Sequence, residues 1–452
     1  MLDFPDFEDS AARDKIAGLR RLMDRSLTNT TYMDGRRASQ LLGVLLSSYR
    51  NAVAGGLHND DESLSAAHTQ GELFRLALAA AFDAICNAEY IHGRVVDSRW
   101  IYCYRDDSDP KVFYSFLKQC PRCCLDRGLE SRLSGAQHKP TSHHIGEITT
   151  VTTALLLQFI TAALDQPLDI ATITKQSHDV DAIGFRKDLL VLFEMKSSPM
   201  VTFPLVADIR GPLLTENDEG VLEYAQHSLI DMTSADALVS MSIPHRGWEI
   251  PLGPRQGGAW PYPQLIDFFS TGGNFMRYLS AWIELYNAYK IPKVQRTGRD
   301  IALAYLVNGW GDEIDSNKTK PGLGRTDDIK KGTYQLLKFG AYYRDDASRL
   351  KVRSALVANL DPLFLRANYV DGLADVRWAP GSDFVHENGE YRIPEGLLRF
   401  LYDGIVTFNR PTLNDPIVAS LFDLDAVNTA LVAGQLDKFL DAWLNIGPDA
   451  LF

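Results

Sequence analysis

The sequence predicts an α/β (α+β) fold in which a central sheet is flanked by helices and preceded by a helical N-terminal layer and a small cysteine-bearing module. Three observations carry this. Residues 10 to about 95 repeat apolar side chains at three-to-four spacing, as in Glu72-Leu-Phe-Arg-Leu-Ala-Leu-Ala-Ala-Ala-Phe-Asp-Ala-Ile, which is the period of a helix. The run Leu189-Leu-Val-Leu-Phe is apolar on both faces, as a strand inside a sheet is. Between them, residues 100–140 lose any continuous apolar face and gather Cys103, Cys120, Cys123, Cys124 and His138.

Composition bounds the function classes. The chain has 452 residues, 46 Lys+Arg against 58 Asp+Glu, a net charge of −12, and is 45% hydrophobic. That is enough apolar content for a large buried core and excludes wholesale disorder. The acidic start, Met1-Leu-Asp-Phe-Pro-Asp-Phe-Glu-Asp, has no positive segment followed by an apolar one, and the apolar run Val151 to Leu164 is too short for a bilayer. A soluble, cytoplasmic protein without a membrane partner is expected. Five cysteines, three of them in one short stretch, do not form the evenly spread framework of a secreted disulfide domain. Although the chain is acidic, residues Tyr286 to Arg353 hold 14 basic and 8 acidic side chains, a local +6. Any nucleic-acid surface is therefore expected to be local.

Taken in order, the elements divide the chain into a helical region (1–98), a metal-held module (99–140), a core (141–250), a recognition region (251–356) and an acidic C-terminal region (357–452), the first and the last of these being the candidates for dimer contact. A long helix is expected from Ser142 to Asp165. Two strand-like runs follow, Ala171 to Phe185 and Leu189 to Met195, with Val201 to Val206 continuing the sheet. Gly253 to Asn274, rich in Gly, Pro and aromatics, reads as a long ordered loop in which Arg255 and Gln256 are candidates for base contact. Ile301 to Asn308 reads as a strand. Thr326 reads as the N-cap of a helix whose first turn carries Asp327 and Asp328, favourable at the positive end of the helix dipole.

The chemistry centres on Ser177-His-Asp-Val-Asp-Ala-Ile-Gly-Phe-Arg-Lys-Asp-Leu-Leu-Val-Leu-Phe-Glu-Met-Lys. A two-residue turn at Lys187-Asp188 puts Arg186 opposite Leu189 and, counting outward, Asp181 opposite Glu194 on one face. Lys196, two residues beyond Glu194, projects from the same face. Two carboxylates and an ammonium then meet at the end of an apolar strand pair, where charge is expensive without a purpose. Hard oxygen ligands of this kind hold Mg²⁺ and the lysine positions an attacking water, the arrangement of metal-assisted phosphodiester hydrolysis. The spacing acidic-x-Lys alone is unspecific, because Asp109-Pro-Lys111 and Asp328-Ile-Lys330 also have it. The bland alternative is a surface salt bridge of Lys196 with either carboxylate.

Two further constellations accompany it. In Cys120-Pro-Arg-Cys123 the Cys-x₂-Cys turn can place two thiolates on one tetrahedral Zn²⁺, with Cys103 and His138 as the remaining ligands and His143 and Cys124 as substitutes. The alternative is buried apolar thiols beside helix-lining histidines. On the helix after Thr326, residues Lys331, Tyr334, Gln335 and Lys338 share one face. That face suits DNA phosphates, with Gln335 able to read a base edge. Arg325 and Lys320, just before it, are placed to clamp the backbone; a plain solvated face is the alternative.

Asp181, Glu194 and Lys196, in this strand–turn–strand setting, resemble the core of the PD-(D/E)xK nucleases, to which most type II restriction endonucleases belong. The resemblance covers roughly residues 140 to 210, and it departs from the pattern where Val180 stands in place of the proline. It implies a central mixed sheet flanked by helices and a further acidic residue on the preceding helix. Glu147 matches that residue, either as a metal ligand or as a supporting carboxylate, and equally fits a dipole-favoured first-turn glutamate. The run Cys-Pro-Arg-Cys-Cys with the downstream His-Lys-Pro-Thr-Ser-His-His-Ile-Gly-Glu-Ile is similar to the ApaLI type of restriction endonuclease. That resemblance implies a bacterial, Mg²⁺-dependent enzyme cutting a short duplex palindrome, GTGCAC, to leave 5′-phosphate ends. Two related active sites, hence a homodimer, are expected for such cutting. A repair nuclease of the same fold that reads DNA structure, and a zinc-containing DNA binder without catalysis, are the alternatives.

Overall fold

The computed structural model describes residues 17–18, 35–56, 68–93, 101–103, 111–114, 120–122, 125, 142–173, 180–208, 214–224, 238–254, 257–307, 320–344 and 350–444. In chain order the elements are α1 (Gly35–Ala54), α2 (Gln70–Gly93), β1 (Ile101–Cys103), β2 (Lys111–Tyr114), α3 (Ser142–Ala163), β3 (Asp169–Thr172), β4 (Ala182–Arg186), β5 (Leu189–Met195), β6 (Leu205–Asp208), β7 (Leu214–Glu216), β8 (Leu222–Tyr224), β9 (Leu238–Ile243) and β10 (Trp248–Pro251). The second half holds α4 (Tyr262–Ser270), α5 (Asn274–Lys290), α6 (Arg299–Leu306), α7 (Thr326–Tyr343), β11 (Lys351–Ala358), α8 (Arg366–Tyr369), β12 (Arg377–Trp378), β13 (Val385–Glu387), β14 (Glu390–Arg392), β15 (Arg399–Phe400), β16 (Gly404–Thr407), β17 (Thr412–Leu413), α9 (Pro416–Leu421), α10 (Leu424–Val432) and α11 (Asp437–Leu444).

The fold is mixed α/β around a six-stranded mixed sheet in the order β17-β16-β11-β5-β4-β3. Strands β5, β11 and β16 run parallel, while β3, β4 and β17 are antiparallel to their neighbours. All seven residues of β5 are buried, as a strand covered on both sides must be. One face, carrying Leu189, Val191 and Phe193, joins the cluster that contains α2, α3 and the C-terminal helices. The other, carrying Leu190, Leu192, Ile183 and Phe185, packs on Ile329, Leu336 and Phe339 of α7. A separate five-stranded antiparallel sheet, β1-β2-β6-β9-β10, takes in the strands of the cysteine-bearing stretch and shares the core cluster of Leu189, Val191 and Phe193 through Leu205, Val239 and Met241.

Sequence explains the helices locally. Thr69 and Glu72 form a reciprocal cap on α2: the Thr69 N–H donates to Glu72 Oε2 at 2.8 Å and the Glu72 N–H to Thr69 Oγ1 at 3.3 Å. Beyond the cap α2 is buried on all sides, the pattern of a core helix. α11 packs on α1, and α10 on α2 and α3, so the acidic C-terminal region closes the same core that the N-terminal helices open. Among the described residues one helical stretch, Ile145–Ala163, is long and apolar enough to cross a membrane, longer than the 151–164 run suggested, and 67% of it is buried inside the fold. Its apolar character is that of a helix packed on α2, α10 and β3.

Several expectations are corrected. Ile301 to Asn308 is not a strand; α6 occupies Arg299–Leu306, burying Ala302, Leu303, Tyr305 and Leu306. Short apolar runs fit either period, and the alanines favour the helix. The single run Ala171 to Phe185 is two antiparallel strands, β3 and β4. Val201 to Val206 does not extend the six-stranded sheet: the backbone N–H groups of Met200, Val201 and Phe203 donate to the side chains of Asp83 and Asn87, and Leu205 begins a strand of the other sheet. The Gly253 to Asn274 stretch contains a helix, α4, which starts with Pro263 in its first turn; Arg255 and Gln256 lie outside the described residues. Thr326 is the first helical residue of α7, with Arg325 at the cap position and no side-chain cap bond.

Candidate functional site

The β4–β5 hairpin has the register expected from its turn: Arg186 pairs with Leu189 and Ala182 with Phe193. Lys187 adopts φ 50° within the two-residue turn, the positive φ that such hairpin turns demand. Asp181 comes just before β4, its N–H donating to Phe193 O at 3.1 Å, and so it stands beside Glu194. By strand alternation Asp181, Glu194 and Lys196 project from the face that carries Leu190 and Leu192, which is the face covered by α7.

The three side chains meet there. Lys196 Nζ touches Glu194 Oε1, lies 3.6 Å from Asp181 Oδ2 and donates to the carbonyl oxygen of Met195 at 3.3 Å. Asp181 Oδ2 also accepts the Met195 N–H at 2.7 Å, which fixes the carboxylate against the strand end. Glu194 is 6% exposed at its side chain, against 33% for Asp181 and 25% for Lys196, so a buried carboxylate sits behind a solvent-reachable pair. Burial works to lower the Lys196 pKa, but the carboxylates of Asp181, Glu194 and Asp328 outweigh it and raise the pKa above the ordinary lysine value.

The strand end is held by its neighbours. The Lys196 N–H donates to Val357 O of β11 at 2.8 Å. Ser198 and Asn359 exchange two bonds, Ser198 N–H to Asn359 Oδ1 at 3.0 Å and Asn359 Nδ2 to Ser198 O at 2.7 Å. The hydroxyls of Ser197 and Thr153 are 2.8 Å apart, tying the strand end to α3. The segment leading into α7 docks at the same edge, with Gly322 N–H on Ser198 O and Leu323 N–H on Leu360 O, both at 3.1 Å. Gly322 has φ +53°, and a Cβ there would meet Leu360 O at 2.5 Å; only glycine permits this approach.

The other expected site residues fall as follows. Glu147 is buried in α3, five residues past the first residue of the helix. It therefore stands beyond the first turn, and the dipole-favoured reading does not describe it. No described contact brings it to Lys196. Cys120 is buried beside Phe113 and Val206. Cys103 lies in β1, but its side chain and that of His143, together with Cys123, Cys124 and His138, lie outside the described residues. Lys331, Tyr334 and Lys338 are exposed along α7 and Gln335 is half-buried; Tyr342, 57% exposed, extends this stripe by one turn. Lys320 is exposed, and Arg325 pairs with Asp328 at 3.3 Å.

Sequence reasoning missed Asp328 as a neighbour of the cluster, having set Asp328-Ile-Lys330 aside as an unspecific tripeptide. Burial raises its carboxyl pKa, against the lowering effect of Arg325 and then of Lys196. Asn359 was missed too; nothing in the sequence ties it to Ser198, because a parallel pairing of β5 and β11 brings them together. Compared with known proteins, the chain matches no family model, no curated protein and no solved structure.

As a metal site the cluster is chemically apt. Two carboxylates and the Met195 carbonyl converge on one cationic point, the Lys196 ammonium, and these are the hard oxygen donors that Mg²⁺ takes. Among the described residues no group of three or more His, Cys, Asp or Glu side chains is gathered for a metal. A Mg²⁺ ion commonly keeps several waters and shares substrate phosphate oxygens, so two protein carboxylates are an ordinary complement for it.

Proposed function

We propose that this protein is a Mg²⁺-dependent endonuclease of the type II restriction class, built on a PD-(D/E)xK core and cutting both strands of a short DNA palindrome. The observation that carries the reading is the convergence of Asp181, Glu194 and Lys196 on one face of an otherwise apolar strand end. Asp181 and Glu194 would hold Mg²⁺, which when bound neutralises charge on the scissile phosphate. Lys196 orients the water for in-line attack, and the cut leaves 5′-phosphate and 3′-hydroxyl ends. Glu147 assists from α3. A structural Zn²⁺ on Cys103, Cys120, Cys123 and His138, a homodimer with two-fold symmetry, a bacterial cytoplasmic setting and the palindrome GTGCAC belong to the same proposal.

The test is incubation of the protein with plasmid DNA in Mg²⁺ and in EDTA. Discrete bands that require Mg²⁺ are expected. A smear would favour a nuclease reading DNA structure, and intact DNA under both conditions would favour a non-catalytic zinc-containing binder.

In this reading the exposed stripe of α7 meets DNA, with Lys331 and Lys338 on phosphates, Tyr334 and Gln335 beside them, and Lys320 and Arg325 at the entry. Exposure of the two lysines and of Tyr334 on one helix face supports it. Replacing both Lys331 and Lys338 by alanine is expected to weaken duplex binding and reduce the slope of log K against log salt by about 2, roughly one for each phosphate that no longer meets an ammonium. Fluorescence anisotropy in Ca²⁺ across a salt series measures it, and an unchanged slope would remove the stripe from the interface.

A further inference from the structure

We infer that Asp328, on the first turn of α7, is a positioning residue for Lys196, a role that rests on the nuclease reading of the cluster. In the parallel pairing of β5 with β11, Leu356 lies beside Glu194. Gly332 rests on the side chain of that leucine so closely that a Cβ would come within 2.6 Å of it, which sets Gly332 level with Glu194. The segment before α7 is bonded to Ser198 and Leu360 at the far end of these strands. After Tyr343 the chain reaches the start of β11 at Lys351. The helix therefore runs against β5.

From Gly332 to Asp328 is one helical turn, about 6 Å towards that far end, and from Glu194 to Lys196 is two strand residues, about 6.6 Å in the same direction. Residues 328 and 332 share a helix face, and Gly332 shows that this face looks at the sheet. Asp328 thus stands level with Lys196, on the helix that covers the face from which the lysine projects. Its side chain is 19% exposed, and each of the two groups feels the charge of the other. On its outer side Asp328 pairs with Arg325, itself 42% exposed. Charges then alternate outward from Glu194 through Lys196 and Asp328 to Arg325, at the entry to the helix proposed to bind DNA. Two strand carboxylates hold the lysine from the sheet, and Asp328 holds it from the helix.

Three full-length variants test this. Asp328→Asn removes the charge at constant shape, Asp328→Glu restores it, and Asp327→Asn removes the same charge from the exposed neighbour in the same turn. The first readout is the rate at which acetic anhydride acylates Lys196 at fixed pH, followed by peptide mass spectrometry, which needs no cleavage. Acylation about five-fold faster in Asp328→Asn than in the native protein or in Asp327→Asn is expected, because a negative charge level with the ammonium is lost. The second is cleavage in Mg²⁺, where kcat should fall about 10–100-fold in Asp328→Asn with KM within about two-fold, and recover in part in Asp328→Glu. Equal acylation of Lys196 in Asp328→Asn and Asp327→Asn overturns the inference. So does a kcat loss no greater than that of Asp327→Asn. A native protein that cuts nothing, while Asp328→Asn still exposes Lys196 to the reagent, overturns the nuclease reading and leaves the positioning role standing.

Discussion

Replacing Lys196 by alanine is expected to lower Mg²⁺-dependent cleavage by about 10²–10⁴-fold while the protein still binds duplex DNA in Ca²⁺. The size is that of losing a positioned group which orients a proton-bearing nucleophile or stabilises developing charge. The lysine is in direct contact with Glu194 and lies 3.6 Å from Asp181 Oδ2, so its loss removes the ammonium from between both carboxylates. The substitution also takes the ammonium away from Glu194, which is 6% exposed. A stability cost of about 1–3 kcal/mol is expected, less than for a fully buried pair because Lys196 and Asp181 reach solvent. Thermal melting run beside the cleavage assay separates the two effects. A folded Lys196→Ala protein that cuts at the native rate would remove the cluster from catalysis.

The second large effect lies away from the site, at Asp83 of α2. Its carboxylate accepts the Met200 N–H, the Val201 N–H at 3.0 Å and the Trp282 Nε1–H at 2.7 Å, and it is wholly buried. These donors belong to the strap that leads out of β5 and to α5, so one side chain ties three parts of the core together. Asp83→Ala leaves three buried N–H groups without an acceptor, and a loss of about 3–5 kcal/mol is expected at roughly 1–3 kcal/mol for each orphaned group, discounted for relaxation. Chemical denaturation measures it; a loss below about 1 kcal/mol would mean that water or a shifted backbone replaces the carboxylate.

The same residue sets a pH dependence. Burial pushes the Asp83 carboxyl up to about 7, against the hydrogen bonds from Trp282, Val201 and Met200. A carboxyl whose folded pKa lies above its unfolded one binds a proton more tightly in the folded state. Its contribution to stability is therefore complete below the unfolded value and is lost as pH rises through about 7. Between pH 5 and pH 8 the native protein should lose about 2–3 kcal/mol more than Asp83→Asn does. Parallel denaturation curves for the two proteins at those pH values check the sign and the size.

Much of this protein follows from its sequence alone. The buried strand Leu189–Met195, its two-residue turn and the opposition of Asp181 to Glu194 are local: a hairpin's register depends on the turn that closes it, and side chains alternate by backbone geometry. The helical layer and the exposed face of Lys331, Tyr334 and Lys338 are local too, since one helical period sorts them. What only the tertiary structure decides is non-local pairing. The 301–308 segment carries apolar residues compatible with either period, and packing against α5 makes it a helix. The 201–206 segment has strand-like residues, yet Asp83 and Asn87, more than a hundred positions away, take the N–H groups of Val201 and Phe203, and a ladder begins only at Leu205, in the other sheet. Asp328 looked like one of three interchangeable acidic-x-Lys tripeptides until the parallel pairing of β5 with β11 and the close seat of Gly332 on Leu356 set it level with Lys196. Local geometry repeats along the chain and can be counted from the residues, whereas contacts between distant segments depend on which of many compact arrangements buries the most apolar surface with its polar groups satisfied.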